Sequence, residues 1–222
     1  MVRVKFVLLH APSVGPVTWR WVADALIGAG HDVVVPDLRQ AAVSGHAEAV
    51  VREAVAACPS DTDARVAHSG AGILLPVIAD SVPTPGRPRL VVVDAAIPDC
   101  EGHARLNPAV VDLLRPVAVD GVLPPWSVWW GDVEQVIPDE DTRAAVEAES
   151  PQLPIALLED GLPVPAGWCE WECDYLLLSE DMRGEAERAR SLGWSVLEDL
   201  GNHLDVVNRA DVVAADLVQM MT

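Results

Sequence analysis

Lysine is almost missing from this 222-residue chain. Lys5 is the only one, and Lys and Arg together number 15 against 34 Asp and Glu. The formal charge of -19 repels phosphate backbones and anionic lipid surfaces, so neither nucleic acid nor a membrane is expected as a partner. Schiff-base chemistry has one candidate, and Lys5 sits inside the first expected strand. Long apolar runs are also missing. No stretch approaches the roughly 20 residues that span a bilayer. Met1 leads directly into a short strand-like segment, without the pattern of a cleaved signal. Cysteine is scarce, limited to Cys58, Cys100, Cys169 and Cys173. Cys169 and Cys173 are the nearest pair, and no second pair matches them, so no metal site is expected. The four read as free thiols in a reducing cytosol, which makes the expected location cytoplasmic. Phe6 and Tyr175 stand alone of their kinds, whereas Trp occurs eight times.

What is present is apolar. Half the residues are hydrophobic and 22% are charged, enough for one folded domain with its own core and too apolar for a disordered chain. Val2 to Leu9 is β-branched and apolar and reads as a buried strand, ended by His10-Ala11-Pro12. Trp19 to Ala29 has helical spacing and is closed by Gly30. Strands are expected at His31–Val35, Arg65–His68, Leu90–Val93, Tyr175–Leu178 and Trp194–Leu197. Helices are expected at Glu48–Ala57, from Ile73, at Gly184–Leu192 and at Ala210–Met220. This alternation implies an α/β fold with a mostly parallel central sheet and helices on both faces. Residues 99–172 break the rhythm. They are rich in Pro and Trp, with only short helical stretches such as Pro108–Leu114 and Thr142–Glu149. The expected organisation is a core of residues 1–98 and 173–222 with an inserted cap, 99–172, over the carboxyl ends of the strands.

The sharpest chemical signal is Ala67-His68-Ser69-Gly70-Ala71, between a strand and a helix. A nucleophile held on a tight strand-to-helix turn needs small residues two positions before and after it, here Ala67 and Ala71. Ser69 would then stand at a helix N-terminus, where free N–H groups favour a developing oxyanion. The simpler alternative is an ordinary Ser N-cap. His203, in Leu200-Gly201-Asn202-His203-Leu204 after the last strand, is the candidate general base. The carboxylate that should orient it has three candidates. Glu180 and Asp181, after the strand Tyr175–Leu178, rank first and close together. Asp94, at the end of an earlier strand, ranks below them. Asp37 and Asp205 read as structural.

Four stretches together resemble the α/β-hydrolase superfamily, in the compact branch of small esterases and plant-type hydroxynitrile lyases. They are FVLLHAPSVGPVTWRWVADALIGAGHDVVVPDLR, RVAHSGAGILLPVIA, LVVVDAAIP and LGNHLDVVNRADVVAADL. The resemblance maps the nucleophile onto Ser69, the base onto His203 and the acid onto the Glu180–Asp181 region. It implies an oxyanion hole from the N–H groups of Gly70 and of the loop after the first strand. That loop usually begins His-Gly and here reads His10-Ala11-Pro12-Ser13. Pro12 has no N–H to give, so Ala11 is the expected second donor, with Ser13 as a substitute. The implied activity is hydrolysis of an ester or thioester of a small to medium, largely apolar substrate, with no cofactor. One alternative is a lyase or cyclase of specialised metabolism in which the Ser–His pair moves protons; another is a receptor that keeps the pocket. A homodimer is one assembly that the sequence leaves open.

Tryptophan placement adds a last expectation. Trp19, Trp21 and Trp194 fall in the expected core, whereas Trp126, Trp129, Trp130, Trp168 and Trp171 all fall in the cap. They serve either cap packing or an aromatic substrate pocket. Within the second view, Trp126, Trp129, Trp130 and His10 are expected to touch substrate.

Overall fold

The computed structural model describes residues 2–222. Six strands form one sheet: β1 (Lys5–Leu9), β2 (Asp32–Val34), β3 (Ala64–His68), β4 (Arg89–Val93), β5 (Cys173–Leu177) and β6 (Ser195–Glu198). Every pairing is parallel, and the order is β6-β5-β4-β3-β1-β2. Parallel strands need crossovers, and the crossovers put helices on both faces. That is why β1 has no polar side. Phe6 and Leu8 point to one face and Val7 and Leu9 to the other, and all four are fully buried.

Helices α1 (Arg20–Gly28) and α5 (Ala210–Gln219) cover the first face. Trp19, Val22, Leu26, Val213 and Leu217 pack there with Phe6, Leu8, Val66 and Val91. Helices α2 (Ala47–Ala57), α3 (Leu75–Ser81) and α4 (Arg183–Ser191) cover the second. There Val50, Ala54, Ile78, Ala186 and Ala189 meet Val7, Val92, Tyr175 and Leu177. The fold class expected from the strand–helix alternation is the one found. Most element starts shift by one to three residues, and two of these shifts have a clear local cause. The helix expected from Ile73 begins at Leu75, because Ser69–Leu74 first winds as a 3-10 turn. Pro76 sits in the first turn of α3, where a missing N–H breaks no helical bond. Trp19 closes a 3-10 turn, Pro16–Trp19, ahead of α1.

Residues 99–172 add no strand to the central sheet. They carry the short helices Pro108–Leu114, Trp126–Trp129, Val133–Val136, Glu140–Ala148 and Ile155–Glu159. Two antiparallel pairs tie them together, His103–Ala104 with Leu162–Pro163 and Val122–Leu123 with Leu153–Pro154. Polar contacts fasten this segment to the core. The Val17 N–H donates to Glu149 Oε2 at 2.9 Å, the Ala47 N–H to Asp160 Oδ2 at 2.9 Å, and Asn208 Nδ2 to the Val136 carbonyl at 2.8 Å. Among the described residues, no helix is long and apolar enough to cross a membrane.

The cysteines correct the sequence reading. Cys100 and Cys169 form a disulfide, so only Cys58 and Cys173 are free thiols, and both are buried. Burial pushes the Cys58 thiol up and the Cys173 thiol up to about 12. The nearest sequence pair, Cys169 and Cys173, is therefore split between a bridge and an inert thiol. Spacing gave no sign of this, because the bridged residues are 69 apart. The bridge joins the two ends of the insertion. Trp168 Nε1 donates to the Asp99 carbonyl at 3.0 Å and Trp194 Nε1 to the Cys169 carbonyl at 3.2 Å, fastening the same junction. The cytoplasmic expectation rests on four free thiols, and two of them are bridged. Unfolded, unreduced protein should titrate two thiols, and four after reduction. Closing a loop of this length stabilises by about 4 kcal/mol in the chain-entropy account, so reduction should lower Tm clearly. Four thiols without reductant would refute the bridge.

Candidate active site

The site starts with two strained turns. Ser69 has φ 56° and Asp94 has φ 44°, two of three non-glycine residues with positive φ among the described residues. Side chains with a Cβ reach that region only when the surroundings hold them there. Both follow the carboxyl ends of neighbouring strands. The β3–β4 register pairs His68 with Val93, so the next residue on each strand is Ser69 and Asp94. Crowding explains the small residues around Ser69. Ala67 and Ala71 are buried. A Cβ on Gly72 would stand 2.8 Å from Ala95 Cβ and from the Ala96 carbonyl oxygen. The turn therefore requires glycine at Gly72, a constraint beyond the two alanines singled out in the sequence.

Three side chains form one hydrogen-bonded line. Ser69 Oγ is 2.9 Å from His203 Nε2, and His203 Nδ1 is 2.8 Å from Asp94 Oδ2. Asp94 is fully buried. Its other contacts are the Leu178 N–H at 2.8 Å and the Ser179 N–H at 2.9 Å on Oδ1, and the Ser179 hydroxyl at 2.6 Å on Oδ2. Burial alone would raise this carboxyl's pKa. The bonds from His203, Ser179 and Leu178 outweigh it and hold the pKa below the ordinary value. An ionised carboxylate only accepts, so His203 Nδ1 carries the proton and Nε2 is left to accept from the Ser69 hydroxyl.

This corrects the ranking of acids. Glu180 is 65% exposed in its side chain and paired with Arg183 at 2.6 Å. Asp181 lines an outer groove of the site, but the imidazole nitrogen it would need is taken by Asp94. The position that closes on Asp94 from the end of β5 is Ser179, a hydrogen-bond donor instead of the expected acid. Asp37 pairs with Arg39, whose guanidinium holds its carboxyl down to about 2. Asp205 is buried and accepts from the Asn202 N–H and from Arg209 Nε, each at 2.9 Å, fixing the loop that carries His203.

His68, Tyr175 and two tryptophans support this line. His68 is buried, and its Nε2 lies 2.8 Å from the His203 carbonyl, to which it donates. Burial, then the neighbouring His203, pushes its pKa down to about 3, so it stays neutral. The Tyr175 hydroxyl donates to the Ala95 carbonyl and accepts from the Ala95 N–H, bracing the Asp94 turn. Rings stack through the site. Trp19 meets His68 edge-on, His68 lies 4.6 Å from His203, and Trp130 stacks on His203 at 5.1 Å.

Ser69 lies where two hollows meet. The inner one, about 180 Å³, is walled by Ile73, Leu74, Leu106, Val110, Leu153 and Leu157. The outer one, about 650 Å³, is mixed, with Asp99, Asp181, Glu185 and Arg188 on its walls beside Ile97, Leu106 and Met182.

No family model and no curated protein matches the chain. Solved structures do. An extracellular α/β-hydrolase from a Paenibacillus species, described as homologous to tobacco salicylic acid binding protein 2, superposes with TM-score 0.77 at 19% identity, covering 98% of each chain. Polyneuridine aldehyde esterase gives 0.74 at 15% identity over 100% of each chain. Tomato methylketone synthase I, bound to 2-tridecanone, gives 0.73 at 15% identity over 99% of this chain and 98% of the other. The chain has the α/β-hydrolase fold.

Within this α/β-hydrolase fold, the loop after β1 faces Ser69 across the inner hollow. Ala11, Pro12, Ser13 and Gly70 all line it. A Cβ on Gly70 would lie 3.6 Å from Pro12 Cδ and 3.8 Å from Ala11 Cβ. Gly70 is the second residue of the 3-10 turn, so its N–H has no partner within that turn. His10 is corrected. It is fully buried behind the loop, where Nε2 accepts from the Leu38 N–H at 3.0 Å and Nδ1 donates to the Ala11 carbonyl at 2.9 Å. It shapes the loop and does not line either hollow.

The cap tryptophans divide. Trp129 and Trp130 line the inner hollow, and Trp126 lines a small recess beside Ser69 and His203. Trp168 and Trp171 are buried in the core instead. Replacing Asp94 by Asn leaves the shape but offers His203 the wrong partner. If the line Ser69–His203–Asp94 turns over p-nitrophenyl butyrate, D94N should lower kcat by about 10³–10⁴-fold, whereas E180Q should stay within about twofold. The reverse result would return the acid to Glu180.

Proposed function

We propose that this protein is a serine hydrolase that cleaves an ester or thioester of a small to medium, largely apolar substrate. The observation that carries this reading is the line Ser69–His203–Asp94, 2.9 and 2.8 Å per link, at the junction of the two hollows. Its structural neighbours include esterases, a methylesterase from Arabidopsis and the thioesterase domain of the curacin biosynthetic pathway.

The line supports one order of events. Ser69 Oγ attacks the carbonyl carbon while its proton passes to His203 Nε2. Asp94 stabilises the imidazolium and fixes its orientation without taking a proton. His203 then protonates the departing alcohol or thiol, and an acyl group remains on Ser69. Water, deprotonated by the same nitrogen, releases the acid. The Gly70 N–H serves the oxyanion. Pro12 cannot contribute, so Ala11, with Ser13 as a substitute, both on the wall of the inner hollow, supplies the second donor in this account. A missing donor costs about 2.7–4 kcal/mol of transition-state stabilisation.

Pro12 also favours a second reading. A site poor in oxyanion donors suits a reaction in which the Ser–His pair moves protons on a bound substrate and no acyl-enzyme forms. A fluorophosphonate probe with mass spectrometry separates the two. The hydrolase reading expects one adduct on Ser69 and p-nitrophenyl ester turnover that is lost in S69A. Labelling without turnover favours the proton-transfer reading. Turnover that survives S69A overturns the nucleophile.

Trp130 is 38% exposed and stacks on His203, whereas Trp168 is buried. W130A should therefore raise KM with little change in Tm. W168A should cost about 3–5 kcal/mol of stability. Equal Tm losses in both would assign Trp130 to packing.

A further inference from the structure

Arg105 is the only cationic side chain on the inner hollow, and it also lines the outer groove. It is exposed, and among the described residues nothing pairs with it by hydrogen bond or ion pair. That is unusual company for a cation in a chain of 34 acidic and 15 basic residues. Neighbouring charges are already committed. Arg115 pairs with Glu159 at 2.5 Å and with Asp112 at 3.6 Å. Arg188 holds Asp99 at 2.9 Å and faces Glu185 at 3.9 Å, and Glu185 also accepts from the Ile97 N–H. Asp160, the one acid on the inner hollow, accepts from the Ala47 and Gly161 N–H groups. Asp181 is confined to the outer groove.

The backbone also holds Arg105 in place. Ala104 pairs with Leu162 in the short antiparallel ladder. A Cβ on Gly161 would lie 2.9 Å from Arg105 Cβ, so this glycine leaves room for the arginine stem. The guanidinium thus stands on an anchored base, beside apolar walls and on the same hollows as Ser69. A guanidinium in such a place matches a carboxylate by paired N–H donors. The acid-rich surroundings repel anions in general, so an anion that binds here needs this specific partner.

We propose that Arg105 determines specificity by binding a carboxylate on the ligand. If Ser69 hydrolyses esters as argued above, the substrate is an ester or thioester with an apolar body and one free carboxylate.

The test pairs turnover with binding. Mono-p-nitrophenyl esters of succinic through suberic acid are compared with p-nitrophenyl esters of the matching monocarboxylic acids. Wild type should favour the carboxylate-bearing partner at one or more chain lengths. In R105A that preference, as a ratio of kcat/KM, should fall about tenfold, and R105K should restore part of it. Calorimetry then measures monomethyl suberate binding to S69A and to S69A/R105A, with circular dichroism to check folding. Tighter binding by S69A supports the proposal even where no ester is turned over, in which case the hydrolase reading alone fails. An unchanged ratio with equal binding in both variants overturns the role of Arg105 and leaves the hydrolase reading standing.

Discussion

The carboxylate of Asp94 sits at zero exposure between two parallel strands. An ion placed there without partners would cost several kcal/mol. It has four: two N–H groups from the end of β5, the Ser179 hydroxyl and the His203 imidazole. Much of the site depends on this arrangement. The strand ends must stay in register for the N–H groups to converge. The His203 loop must return to the same place, which the Asp205 and His68 contacts secure. The strain at Ser69 and Asp94 is tolerated because the packed turns around them allow no other path.

The cap completes what the sheet begins. The sheet supplies the line of polar groups, and residues 99–172 supply most of the apolar walls. One clamp holds the insertion at its base, where the Cys100–Cys169 bridge and two indole N–H donors meet. A second set of contacts presses it onto the loop after β1 through Glu149. The walls of the inner hollow are therefore built largely on a segment fastened at several points, and Trp130 connects that segment to the imidazole by direct stacking.

Legibility in the sequence follows the range of each signal. Strands and helices are local patterns, and their alternation points to the fold found. Ser69 and His203 also stand out as local patterns, and the structure brings them within 2.9 Å. The acid is not local. Choosing among Asp94, Glu180 and Asp181 requires the strand order, because β4 is the neighbour of β3 in space and β5 is one strand further out. The disulfide is hidden for the same reason, as its halves lie at opposite ends of the insertion. The tryptophans were half legible. Their concentration in the cap marks the site, but only the Trp126–Trp130 group faces it, while Trp168 and Trp171 fill the core. Pro12 was legible as a missing donor from its residue type alone.

The central claim is that Asp94, and no other acid, holds the proton of His203 Nδ1. Proton NMR of the resting protein tests it directly, because an N–H shared between a buried imidazole and a carboxylate resonates far downfield and exchanges slowly. The account predicts one such resonance, lost in D94N and in a His203 variant and retained in E180Q. Its persistence in D94N, or its loss in E180Q alone, would contradict the account.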